Sequence, residues 1–181
     1  NIDCFEYLLT RGLSPREKDN EGENLLFALV RKNNILTCET GVTLFKRLIQ
    51  LGVNPKETSS PLSNNLLHIL VKDAGDYYQA DFKEKISNVI ALLVGAGVDI
   101  NGRAHKGETP LHWACGYYYD KGYNGEGHGE YRVDVVEALL ENGADYTLTS
   151  EYGKNAPGPY GGTHSTGKID INDFKERFSE S

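Results

Sequence analysis

Methionine is missing altogether from these 181 residues, tryptophan occurs once, and there are only three cysteines. Three is an odd number, and Cys4, Cys38 and Cys115 are not spaced as a Cys-x-x-Cys zinc pair. Reduced thiols in a cytosolic protein account for them without a disulfide framework. No apolar run approaches the ~18 residues that read as a bilayer span, and no secretory signal pattern is visible. Lysines and arginines never occur more than two in succession, and the formal net charge is −7. Binding to nucleic acid or to an anionic membrane calls for a basic stripe, so this pattern argues against both. Catalytic signatures are equally scarce: there is no Gly-x-Ser-x-Gly, no phosphate-cradling glycine loop and no His-Glu-x-x-His.

What the chain does have is repetition. A helix-ending pattern recurs as Leu8 to Gly12, Leu48 to Gly52, Leu93 to Asp99 and Leu139 to Asp145. A helix-opening pattern recurs as Asn24-Leu25-Leu26-Phe27, Asn65-Leu66-Leu67-His68 and Thr109-Pro110-Leu111-His112, with a worn copy at Gly153-Lys154-Asn155-Ala156. Thr109 is suited to cap the helix it opens, and Pro110 sits where a missing N–H costs nothing. The Val133, Val136, Leu139, Leu140 face predicts an amphipathic helix closed by Gly143, and Ile86, Val89, Ile90 and Leu93 repeat that spacing. Phe45, Leu48 and Ile49 are expected to face inward as well. Helices are expected near 1–11, 24–33, 41–51, 65–73, 80–95, 109–118 and 131–142. A hairpin of two short helices cannot bury its own apolar face, so the fold class is all-α with stacked copies.

The Thr-Pro-Leu-His and Leu-Leu-x-x-Gly-Ala-Asp segments at 109–112 and 139–145 resemble the ankyrin repeat, and the likeness extends over about residues 1–157. The resemblance implies an ankyrin-repeat solenoid of about 3.5–4 repeats: a half repeat at 1–15, repeats at about 16–56, 57–101 and 102–147, and a worn opening at 148–157. Residues 158–181 read as a Gly/Pro-rich loop and a C-terminal capping helix from about Asn172, capped by Asp170 or Asn172, with Ile171, Phe174 and Phe178 on one face. Because Ile2 to Leu9 already read as the second helix of a repeat and no methionine precedes them, the chain reads as a piece of a longer protein.

The terminal glycines at 12, 52, 97 and 143 give periods of 40, 45 and 46, against about 33 for the family. The excess lies between the two helices of each repeat, at 32–41, 73–81 and 117–130, and is expected to form a ridge along one face. The hairpin around Pro61-Leu62-Ser63-Asn64 departs from the family pattern and is expected to be irregular. Seven of the eleven tyrosines fall in or beside two of the inserts, at Tyr77, Tyr78, Tyr117, Tyr118, Tyr119, Tyr123 and Tyr131. Tyrosine gives large contact area at little rotamer cost, which suits recognition, while mutual packing that stiffens a long insert is an equally open reading.

Ankyrin repeats bind partners through hairpin tips and the exposed ends of inner helices. Carried over by register, the tips are Asn20-Glu21, Leu62-Ser63, His105-Lys106 and Glu151-Tyr152, and the helix ends are Arg31-Lys32, Lys72-Asp73 and Gly116-Tyr117. That groove reads as basic toward the second repeat and aromatic toward the fourth. The resemblance assigns His68 and His112 to backbone bonding, and Trp113 is expected to lie between the two helices of its repeat. His128 and His164, with Asp120 or Glu130, have no spacing that specifies a metal, so none is expected, and no cofactor either. The Asp170 to Asp173 string lacks the rest of a calcium loop. Asn101 resembles the hairpin asparagine that a cytosolic hydroxylase modifies, or is a turn residue bonding its own backbone. The expected function is a non-enzymatic, monomeric, cytoplasmic module holding a protein or peptide partner on its concave face. A bacterial effector acting in host cytosol is one setting. Two alternatives are a regulatory or substrate-recruiting part of an enzyme, and self-association through the tyrosine-rich inserts.

Overall fold

The computed structural model describes residues 2–31, 34–38, 40–74, 80–114 and 129–151, with backbone alone for 129–133. Its elements are α1 (Ile2–Thr10), α2 (Leu25–Val30), α3 (Asn34–Thr37), α4 (Gly41–Gln50), α5 (Leu66–Ala74), α6 (Phe82–Gly95) and α8 (Gly129–Glu141), with a helical turn α7 over 110–114. The described residues contain helices and no β-strand. The expected capping helix and the worn opening at 153–156 lie outside the described residues.

Helices α1, α4, α6 and α8 end identically, and the recurring sequence explains why. Gly12, Gly52, Gly97 and Gly143 all take positive φ, between 81° and 92°, a region open to glycine because it lacks a Cβ. In each case the glycine N–H bonds the carbonyl three residues back (Leu9, Ile49, Val94, Leu140), and the next N–H reaches Leu8, Leu48, Leu93 or Leu139. This paired closure satisfies the last carbonyls and places an apolar side chain after the glycine against the leucine before it.

The inner helices start on polar caps. Asn24 Oδ1 accepts from the Leu26 N–H at 2.9 Å, and Asn65 Oδ1 from the Leu67 N–H at 3.1 Å. Each asparagine also donates through Nδ2 to the loop leaving the outer helix of its own unit, Asn24 to the Asn54 carbonyl at 3.0 Å and Asn65 to that of Asp99 at 2.7 Å. One residue thus starts the inner helix and closes the unit. Thr109 caps more loosely, its hydroxyl accepting from the His112 N–H at 3.4 Å.

Helix α2 packs against α4 and α5, α5 against α6 and α8, and α6 against α8. The apolar residues between them form one cluster running from Leu26 to Ala144, with Leu67, Leu111 and Leu139 all members. Each such large side chain contributes roughly 1.5–3 kcal/mol when buried, against about 1–2 kcal/mol per residue for ordering the backbone. A lone pair of short helices has too few of these contacts to stand by itself, so each unit depends on its neighbours.

The insert at 32–41 is not simply a surface ridge. Asn34–Thr37 form α3, whose Ile35 and Leu36 are buried in the cluster, and α3 packs on α2, α4 and α6. The apolar pair Ile35-Leu36 drives this, and Gly41 permits it. A Cβ on Gly41 would lie 2.9 Å from the Ile35 Cα. The inner helix expected over 24–33 is α2, which ends at Val30, and α3 is a further helix within the insert. Of the inserts at 73–81 and 117–130, residues 75–79 and 117–128 lie outside the described residues. Around Pro61 the hairpin is irregular as expected, with a cis Ser60–Pro61 bond and Ser63 at φ 55°.

Candidate partner-binding surface

Successive loops between units are joined backbone to backbone. The Ser60 N–H donates to the Glu21 carbonyl at 2.9 Å, the His105 N–H to that of Leu62 at 2.8 Å, and the Glu151 N–H to that of Lys106 at 2.9 Å. Hairpin arms add Asp19 to Glu23, Ser59 to Asn64 and Ala104 to Glu108. This brings Glu21, Leu62, His105, Lys106 and Glu151 into one row, with Asn20 beside Glu21. Asn20, Glu21, Leu62, His105 and Glu151 are exposed and Lys106 is half-buried. Lys106 holds φ 65°, a turn geometry more usual for glycine or asparagine.

Side chains brace the same row from below. Asp19 Oδ1 accepts from the Glu21 and Glu23 N–H groups, both at 2.9 Å. Arg16 Nε donates to the Leu51 carbonyl at 3.0 Å, and Arg103 Nη1 to those of Gly107 at 3.0 Å and Thr149 at 2.8 Å. Asn101 Oδ1 accepts the Asp145 N–H at 2.8 Å. The Asn101 side chain therefore ties two successive units, which is more than the local turn bond read from its sequence context. The local turn bond is made by a different side chain, with the Asn101 N–H donating to Asp99 Oδ1 at 2.9 Å.

Arg31 lies directly after α2, while Lys72 and Asp73 occupy the last turn of α5. At this end the charge of Arg31 is already paired within the fold, and Lys32 lies outside the described residues. Glu23, nearly buried, grips the Arg31 guanidinium with both carboxylate oxygens, and Glu21 approaches it to 3.7 Å. Hydrogen bonding to Glu23 holds the Arg31 pKa above its ordinary value, with Glu21 and Asp73 adding to the effect. Among the described residues Glu23, Glu21 and Asp73 offset the charge of Arg31, while Lys72 is exposed. The sequence reading weighed Arg31 and Lys32 and overlooked Glu23. A signal was present: the residue before each inner-helix cap, Glu23, Asn64 and Glu108, is polar in every unit.

His68 and His112 are built into the caps. His68 Nδ1 accepts the Asn65 N–H at 3.2 Å and Nε2–H donates to the Glu108 carbonyl of the next unit at 3.1 Å. Burial pulls the His68 pKa down to about 4, partly offset by that bond to Glu108. His112 Nδ1 accepts from the Thr109 N–H at 3.2 Å and meets the Thr109 hydroxyl at 2.8 Å. Trp113 is half-buried and reaches toward the preceding unit. Its ring stands edge-on to His68 at 5.1 Å and 76°, and its Nε1–H donates to Glu108 at 2.9 Å.

Lys32, Tyr77, Tyr78, Tyr117, Tyr118, Tyr119 and Tyr152 lie outside the described residues, as do Gly116, Asp120, Tyr123, His128 and His164, and the side chains of Glu130 and Tyr131. Among the described residues no cluster of His, Cys, Asp and Glu is arranged to hold a metal ion. None of the helices they form is long and apolar enough to cross a membrane.

Residues 106–151 match the family model described as the ankyrin repeat. The matched segment contains the 109–112 and 139–145 motifs on which the resemblance was first read. A comparison with curated proteins returns no match.

Proposed function

We propose that this chain is an ankyrin-repeat solenoid that holds a protein or peptide partner along its concave face. In this reading the half repeat at 1–15 and the repeats at 16–56, 57–101 and 102–147 form a curved stack closed by 158–181. Asn20, Glu21, Arg31, Lys32, Lys72, Asp73, His105, Lys106, Glu151 and Tyr152 line the contact surface. The inserts add Tyr77, Tyr78, Tyr117, Tyr118 and Tyr119. The module works by recognition and carries no reaction of its own. It belongs to a larger protein, such as a bacterial effector acting in host cytosol.

The observation that carries this reading is the bonded row of loop tips, Glu21 through Leu62, His105 and Lys106 to Glu151, all exposed but the half-buried Lys106. A row fixed by its own backbone offers polar side chains at set spacing with little ordering left to do on binding. The family match over 106–151 supports it. Specificity on such a surface rests on a few anchors rather than on total area.

Cross-linking capture from cytosol tests the reading. Wild type is compared with Lys72→Glu/His105→Glu/Tyr117→Ser on the proposed face and with Lys46→Glu/Glu84→Lys on the outer helices. Arg31 is left unchanged because reversing it would strand the nearly buried Glu23. A partner lost only with the first variant is the expected result. A partner retained equally by both variants would contradict the reading.

A further inference from the structure

The residue before each inner-helix cap is Glu23, Asn64 or Glu108, and two of the three grip a side chain of the helix that follows. Glu23 holds the Arg31 guanidinium through Nε and Nη2. Glu108 Oε2 accepts from Trp113 Nε1–H at 2.9 Å. Asn64 has no carboxylate to offer, and Lys72, which stands after Asn65 as Arg31 stands after Asn24, is left exposed. A large side chain is thus held in place wherever the position carries a carboxylate.

The two gripped side chains share one side of the inner helices. Trp113 has the register of Ala28 in α2, and Arg31 lies one turn beyond Ala28. Ala28 is exposed there, while Arg31 and Trp113 are half-buried. Each is fixed and still open to a ligand. The Arg31 side chain is 36% exposed against 5% for Glu23. A carboxylate on Nε and Nη2 leaves Nη1 on the far edge of the planar group, and among the described residues no bond reaches it. Trp113 is held at two points, its N–H on Glu108 and its ring edge-on to His68 at 5.1 Å. Arginine and tryptophan are the side chains that most often dominate interfaces, and holding them beforehand removes the cost of ordering them on binding. Glu21, Glu23 and Asp73 already offset the Arg31 charge, so its spare N–H groups favour a neutral carbonyl oxygen over a carboxylate. The half-buried indole favours an apolar side chain.

We propose that Glu23 and Glu108 are positioning residues that hold Arg31 and Trp113 as the two anchors of the partner-binding face. The segment that docks there is an uncharged stretch of peptide, giving a carbonyl oxygen to Arg31 and an apolar side chain to Trp113. This rests on the partner-binding reading above and adds to it the anchors and the chemistry they accept.

Linear peptides selected on the 181-residue chain from a displayed random library are the probe. Trp113 is the single tryptophan, so its emission reports on the site without any variant. Selected peptides are expected to shift that emission. Trp113→Leu, and Glu23→Gln/Arg31→Gln with its neutral pair, should each weaken binding by about tenfold. Glu108→Leu frees the indole, so both tryptophan anisotropy and peptide affinity should fall, and Glu108→Gln, which keeps an acceptor, should restore both. A role in stability alone would move the thermal midpoint and leave the affinity of the folded protein unchanged. Peptides that leave the Trp113 emission unmoved, or that bind these variants as tightly as the wild type, would overturn the anchors and leave the partner-binding reading standing. A selected set rich in Asp or Glu would overturn the assigned chemistry. Recovery of no peptide would contradict the partner-binding reading itself, and this inference with it.

Discussion

His68 shows how much one side chain carries here. Its two nitrogens are both used, one closing the cap at Asn65 and the other reaching the Glu108 carbonyl of the next unit. With a folded pKa near 4 against an ordinary 6.5, the unfolded chain takes up a proton before the folded one does. The His68 contribution is therefore complete above about pH 6.5 and is lost as pH falls from there toward about 4. It amounts to roughly 3 kcal/mol in all. Urea unfolding of wild type and His68→Gln at pH 7.5, 6.0 and 5.0 should show the wild type losing stability more steeply. Parallel profiles would mean that His68 is not the titrating group. The structural role of this histidine was legible from its motif position. The tie to the next unit was not, because it depends on where a distant backbone carbonyl lies. Glu23 was missed for the same reason: sequence shows Arg31 as an available cation, and only the fold brings a nearly buried carboxylate eight residues upstream onto it.

At the scale of elements, the outer helices were readable nearly to their ends because leucine spacing and a terminal glycine act within a few residues of each other. The 80–95 reading corresponds to Phe82–Gly95, and 131–142 to Gly129–Glu141. The insert at 32–41 was harder. Its polar flanks read as loop, and the burial of Ile35 and Leu36 is decided by α4 and α6, not by local sequence. Gly41 and Gly95 now make a contrasting pair at the two ends of outer helices. A Cβ on Gly41 would press on the α3 backbone, while one on Gly95 meets nothing within 4 Å. Gly41→Ala is expected to cost about 1–3 kcal/mol. Gly95→Ala should be stabilising by about 0.5–1 kcal/mol, since helix geometry there already suits alanine. Denaturant midpoints of the two variants measure this, and a Gly41→Ala variant as stable as the wild type or more so would refute the α3–α4 contact.

Over the whole molecule, the apolar cluster and the row of loop tips are two consequences of the same register. Units that share Leu67, Leu111 and Leu139 in one cluster hold their loops close enough to bond through backbone groups. The row is rigid only while the cluster is continuous, and a partner-binding face of the proposed kind relies on that rigidity. The repeat pattern made the all-α character and the recurring helix ends legible from sequence, but the pairing of charges was not, since Glu21 and Asp73 gather at Arg31 only after folding. Amide hydrogen exchange on Leu67→Ala is the most direct test of this coupling. The substitution should cost about 2–5 kcal/mol, and protection should fall together in α2, α5, α6 and α8. Loss confined to α5 and α6, with α2 and α8 as protected as in the wild type, would contradict the account.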